Sequence, residues 1–97
     1  MAKGYWIASV RVDDPAKWQL YVAAARPAFE EHGGRFLARG GAHEEAESGL
    51  GRSRHVICEF PSLAAAQACY HSPVYQAARK LREGAGVATI TLVEGVE

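Results

Sequence analysis

Between residues 5 and 12 the sequence YWIASVRV alternates, with Trp6, Ala8, Val10 and Val12 on one side and Tyr5, Ile7, Ser9 and Arg11 on the other. That period of two predicts a strand. Asp13-Asp14-Pro15 follows, a carboxylate for an N-cap and a proline where a helix tolerates one. The spacing then lengthens: Trp18, Tyr21 with Val22, Ala25 and Phe29 recur every three or four residues, which predicts one buried helical stripe. His32-Gly33-Gly34 supplies a glycine for the left-handed position that ends a helix. Pro27 falls inside this segment and predicts a kink or a short second piece.

RFLARGG, residues 35–41, returns to strand character and ends in paired glycines, a usual place for a bulge. Polar residues 42–54, with Ser48-Gly49 and Gly51 as turn positions, predict the connection of a hairpin whose return strand is HVICEF, residues 55–60. Pro61 stops that strand, and Ser62 is placed to cap a helix over residues 63–70. Ser72-Pro73 breaks the helix, because Pro73 has no N–H for the carbonyl of Cys69 and its ring clashes with the preceding turn. Ser72 then caps a new segment running to about Glu83, with Val74, Ala78 and Leu81 as its buried stripe and Tyr75, Arg79 and Arg82 on its flank. VATITLV, residues 87–93, is apolar and β-branched enough to predict a central strand covered on both faces.

The order is βαββαβ, an α+β arrangement with two helices on one face of a four-stranded antiparallel sheet. Apolar residues occupy both parities of the strands, so the face away from the helices would carry an exposed apolar patch. Period alone leaves open which parity meets the helices. At 97 residues the chain is expected to be one domain, and a domain of this size buries only about 60 to 65% of its unfolded surface. Much of its 48% hydrophobic content is alanine. A second copy closing over the open face would supply the missing burial.

Net charge is zero, which removes the broad attraction a nucleic acid or an anionic membrane would need. No apolar stretch approaches the roughly 20 residues of a membrane span, and MAKGYWIASV lacks the pattern of a signal peptide. A cytoplasmic protein is expected. Cys58 and Cys69 form no CxxC motif and read as small buried residues. The four histidines show no metal-ligand spacing, there is no phosphate loop, and none is presented for haem, so no cofactor and no metal is implied.

The candidate chemistry gathers at the helix break. A helix start offers unpaired N–H groups and a positive dipole end. Beside it stand Ser72, the phenol of Tyr75 and the guanidinium of Arg79, which together would hold a carboxylate or enolate, with His71 and Tyr75 as candidate catalytic proton carriers. Arg39, in alternation before the glycine pair, is a further candidate for holding an anion. The structural alternatives are a plain cap at Ser72, an amphipathic rim at Tyr75, cations complementing a helix end at Arg79 and Arg82, and an ion pair of Arg39 with Glu59 or Glu47.

GYWIA at 4–8, GGRFLARGG at 33–41, EFPS at 59–62 and HSPVYQAARKLR at 71–82 together resemble domain-of-unknown-function family 1330 over nearly the whole chain. The resemblance implies a ferredoxin-like fold of the dimeric alpha/beta-barrel kind, a homodimer with its two sheets face to face and its helices outside. It matches the family pattern at Tyr5, Tyr21, Arg39, Ser72, Tyr75 and Arg79, which adds Tyr5 and Tyr21 to the candidate ligand residues. Ala46-Glu47-Ser48 departs from the family's apolar residue followed by Glu-Gly. What is implied is a small-molecule-binding homodimer, either a cofactor-independent enzyme acting on a small acidic or aromatic substrate or a non-catalytic dimeric module.

Overall fold

The computed structural model describes residues 1–47 and 49–97; Ser48, one of the expected turn residues, lies outside them. In chain order the elements are β1 (Gly4–Val12), α1 (Pro15–Glu31), β2 (Arg35–Arg39), β3 (Arg54–Phe60), α2 (Leu63–His71), α3 (Pro73–Leu81) and β4 (Gly86–Glu94). The strands form one antiparallel sheet in the order β2-β3-β1-β4. This is the expected ferredoxin-like βαββαβ fold, with three helices because the second is cut in two. Strand β4 is an edge strand and not the central one its composition predicted, because β1 and β3 take the middle. Its Val87, Thr89, Thr91 and Val93 are β-branched residues that favour extended backbone whether or not both faces are covered.

The registers settle the parity. Trp6 lies opposite Cys58 and Leu92, Ala8 opposite Val56 and Ile90, and Val10 opposite Arg54 and Ala88. Trp6, Ala8 and Val10 are buried beneath the helices, whereas Ile7 on the other parity is 42% exposed. Trp6 is the hub of the core, with ring centroids 4.8 Å from Phe29, 4.9 Å from Tyr75 and 5.6 Å from Tyr70. Burying one such aromatic side chain contributes about 3 kcal/mol. Ala25, Ala28, Ala66 and Ala78 are buried between the layers, where small side chains let helices approach closely. Cys58 and Cys69 are free and fully buried in this core, as expected of small apolar residues.

Each helix end follows from its residues. Asp14 accepts from the N–H of Lys17 at 3.1 Å, with Pro15 first in α1. At the other end Gly33 has φ +77°, and the N–H groups of Gly33 and Gly34 close onto the carbonyls of Glu30 and Phe29, the Schellman arrangement. Helix α1 runs unbroken through Pro27, so the predicted second piece does not form. Pro27 and Ala23 are both exposed, so the carbonyl that the missing N–H leaves free is on the wet side of the helix, where water bonds it. The register irregularity of β2 falls between Phe36 and Ala38, at Leu37, and not at the glycine pair.

Ser62 caps α2 by accepting from Ala65 at 3.1 Å. The break at Ser72-Pro73 is present: the Ser72 hydroxyl accepts from the N–H of Tyr75 at 3.2 Å and donates to the carbonyl of Cys69 at 2.7 Å, tying the end of α2 to the start of α3. Helix α3 buries a stripe adjacent to the one predicted, sharing Ala78 with it. Tyr75 and Ala78 are buried, while Val74 and Leu81 are each 42% exposed. A tyrosine ring buries far more area than a valine, and this rotation also gives its hydroxyl a partner on α1. Among the described residues, no helix is long and apolar enough to cross a membrane.

Candidate functional site

Helix α1 packs chiefly against α3, while α2 rests on the sheet. The gap left between α1 and the sheet is a cleft with a cavity volume of about 60 Å³. Its floor includes Ala8, Val10, Val56, Ala88 and Ile90, where the two alanines leave room, and its wall carries Trp18, Tyr21 and Phe29. Three guanidinium groups complete the lining, from Arg26 on α1, Arg39 on β2 and Arg54 on β3. No carboxylate and no imidazole is among the lining groups. The ion pairs among the described residues join Arg11 to Asp13, Arg35 to Glu59 and the N-terminus to Glu97, so none of the three cleft arginines is neutralised. Arg39 stands 4.2 Å over the Phe36 ring, and Arg54 lies against the α-carbon of Gly40, where a side chain would overlap its guanidinium. Gly40 has φ +71°, so backbone conformation and space both call for glycine there.

At the contact of α1 with α3, beside the cleft, the hydroxyls of Tyr21 and Tyr75 are 2.9 Å apart. The guanidinium of Arg82, which follows α3, lies 5.2 Å from the Tyr21 ring centroid and 5.9 Å from that of Trp18. Burial, and then the neighbouring Tyr75 phenol, pushes the Tyr21 pKa well above the ordinary phenol range. For Arg82 burial works against the charge, but the Tyr75 and Tyr21 phenols outweigh it and hold its pKa above the usual arginine value. Near neutrality Tyr21 is therefore a neutral phenol beside a guanidinium cation.

The structure separates the residues that the sequence had grouped. Tyr21 and Arg39 line the cleft. Tyr75 stands one layer behind, with no exposed surface, and reaches the cleft only through Tyr21. Ser72 is occupied as the cap described above. Arg79 donates to Gln76 on its own helix at 3.0 Å. His71 is exposed at the end of α2 with its ring 5.1 Å from that of Tyr70. Tyr5 is on the opposite face of the sheet, donating to Glu59 at 3.1 Å. Arg35, and not Arg39, is the arginine that meets Glu59, at 3.7 Å. Arg26 and Arg54 were not anticipated, and Arg82 was anticipated only on the flank of α3. For Arg54 a signal existed: it shares the buried parity of Val56, Cys58 and Phe60, a place where a charge needs a reason.

On the open face, the His43 ring lies 4.7 Å from His55, and Ser9 Oγ is 3.1 Å from His55 Nδ1. No group of three potential metal ligands occurs among the described residues.

The fold is shared by several solved proteins. One is a protein of unknown function from Rhodopseudomonas palustris, 21% identical, covering 99% of this chain and 84% of that one with a TM-score of 0.79. Another is SnoaB, a cofactor-independent oxygenase from Streptomyces nogalater, 12% identical, covering 100% and 96% with a TM-score of 0.67. A third is a dimeric ferredoxin-like protein of unknown function from Jannaschia sp., 12% identical, covering 94% and 97% with a TM-score of 0.66. Identities this low speak for the fold alone. No curated protein matches the chain by sequence. Residues 3–96 match the family described as Domain of unknown function (DUF1330), and the chain belongs to that family.

Proposed function

We propose that the protein is a homodimer whose α1–sheet cleft binds a small planar organic acid in each subunit. The observation that carries this is the pairing of an aromatic, apolar cleft with three guanidinium groups that no carboxylate neutralises. An apolar ring gains by leaving water among Trp18, Phe29 and Ile90, and its carboxylate gains charge-assisted bonds from Arg39 and Arg54. Ligand pockets for drug-sized molecules run from about 300 Å³; a cavity of about 60 Å³ excludes molecules of that size, and a single-ring acid would sit partly in its mouth. Because the lining offers no carboxylate or imidazole base, any reaction would rely on the ligand's own acidity and on Tyr21 as a proton donor. An oxygenase without a cofactor on the same fold in Streptomyces nogalater supports that kind of chemistry. The free, buried Cys58 and Cys69 suit a reducing cytoplasm.

The homodimer follows from the uncovered sheet face. Ile7 and Val93 are each 42% exposed and Val87 is 38% exposed there, interleaved with Ser9, Thr89 and Thr91, a mixture suited to a second copy of the same face.

Calorimetric titration with benzoate, against benzyl alcohol of the same shape without charge, tests the binding. Benzoate is expected to bind with perturbed amide signals at Tyr21 and Val56. Loss of one charge-assisted bond of about 1.5 kcal/mol in Arg54→Met should weaken it roughly tenfold. Equal affinity for benzyl alcohol, or signals confined to the open face, would remove the proposal.

A further inference from the structure

The Tyr21–Tyr75 pair has a direction. Tyr75 has no exposed surface, and the Tyr21 oxygen is the only partner of its hydroxyl among the described residues. A buried O–H left without an acceptor costs about 1 to 3 kcal/mol, so the Tyr75 proton goes to the Tyr21 oxygen. The Tyr21 proton is then unused, and Tyr21 is the member of the pair that lines the cleft. Beside the pair stands Arg82, its guanidinium 5.2 Å from the Tyr21 ring centroid, with Nε buried and unpartnered. No carboxylate pairs with Arg82 among the described residues. Its positive charge therefore stands unneutralised beside the phenol pair.

We infer that Arg82, Tyr75 and Tyr21 form a polarised donor chain whose end, the Tyr21 hydroxyl, holds a ring or enol oxygen of the ligand as its anion. This rests on the cleft reading and narrows it from planar acids to acids that also carry an ionisable hydroxyl or enol. Successive hydrogen bonds strengthen one another by about 10 to 30% each inside a protein, and a donor fixed before the charge appears needs no reorganisation. The raised pKa of Tyr21 keeps it a donor through the physiological range. The proton released by the ligand leaves to water at the mouth. The other charges facing the site are Arg26 from α1, Arg39 from β2 and Arg54 from β3, while β1 and β4 contribute Ala8, Val10, Ala88 and Ile90 without charge. The arginines at the cleft also favour an anion, so the chain must be tested through Arg82 and Tyr75, which do not line the cleft. Tyr21 is the group that touches the ligand; Tyr75 and Arg82 position and polarise it.

The probe is para-hydroxy-meta-nitrobenzoate, whose absorbance reports ionisation of its ring hydroxyl, with meta-nitrobenzoate as the partner lacking that hydroxyl. Bound to the wild-type protein, the hydroxyl is expected to titrate about one pH unit lower than in water, a tenfold shift toward the anion. Arg82→Gln and the isosteric Tyr75→Phe should each remove at least half of that shift, and Arg82→Lys should retain more of it than Arg82→Gln. A bound hydroxyl that titrates as in water, with meta-nitrobenzoate binding normally, overturns the donor chain and leaves the cleft reading standing. A full shift kept by both Arg82→Gln and Tyr75→Phe overturns it too. So does a parallel loss of meta-nitrobenzoate binding in those variants, because a merely structural role moves both. If neither probe binds the wild type, the cleft reading falls and the chain with it.

Discussion

Removing the Ser72 hydroxyl tests how the break between α2 and α3 holds Tyr75 in place. That oxygen makes two bonds, accepting from the Tyr75 N–H at 3.2 Å and donating to the Cys69 carbonyl at 2.7 Å. In Ser72→Ala the Cys69 carbonyl keeps the Ser72 N–H at 3.2 Å, but the Tyr75 N–H loses its acceptor beside a side chain that has no exposed surface. An exposed cap is worth about 1 kcal/mol, and the buried setting moves the expectation to about 1 to 2 kcal/mol. For a domain of this length that is roughly 4 to 16 °C in Tm. Ser62→Ala is the internal comparison, since Ser62 makes a single capping bond, to Ala65 at 3.1 Å. Ser72→Thr should be nearly neutral, and Ser72→Asp intermediate, because a carboxylate caps Tyr75 but has no proton for Cys69. Urea unfolding at one fixed protein concentration is the assay, since the apparent stability of the proposed homodimer would depend on concentration. Ser72→Ala within about 0.3 kcal/mol of wild type, or costing less than Ser62→Ala, would refute the argument.

Burial pushes the Cys58 thiol up to about 11 and the Cys69 thiol up to about 12, from an ordinary 9.0. The folded state therefore keeps protons the unfolded chain gives up, so stability is full below pH 9 and falls as pH rises toward 11 and 12; unfolding across that range should show a slope that Cys58→Ala with Cys69→Ala flattens. Gly40→Ala combines a φ of +71° with overlap on Arg54 and should cost about 1 kcal/mol of stability while weakening benzoate; Gly49→Ala, at φ +59° with open space around it, should be strained similarly yet leave benzoate affinity unchanged. Ile7→Lys places a charge on the open sheet face and should convert a sedimenting dimer to monomer with the far-ultraviolet spectrum intact; a wild-type chain that sediments as a monomer at micromolar concentration would remove the sheet-to-sheet pairing.

Local chemistry was legible wherever one residue type decides the outcome. Asp14, Ser62, Ser72 and Gly33 act at their helix ends as their types require, and alternation groups Trp6 with Ala8 and Val10, and Val56 with Cys58 and Phe60, each on one face, without saying which face meets the helices. What escaped the sequence were choices between two locally acceptable answers. On α3, Val74–Ala78–Leu81 and Tyr75–Ala78–Arg82 are both helical stripes sharing Ala78; docking on α1, where Tyr21 waits with a hydroxyl, selects the second. Edge and centre are likewise indistinguishable in VATITLV, because β-branching records extended backbone and not neighbours on both sides.

The cleft escaped for a related reason. It is built by residues from five elements that no window along the chain brings together, and its two small floor residues, Ala8 and Ala88, look in sequence like any other alanines. Once α3 rotates Tyr75 inward, the phenol that sequence placed on the flank of the helix becomes the support of another phenol, and the flank arginine Arg82 stands beside Tyr21. One rotation of a nine-residue helix thus moves the candidate chemistry from the helix break to the far side of α1. The cap at Ser72 fixes where that helix starts, and so couples the stability of the break to the geometry of Tyr21 at the cleft.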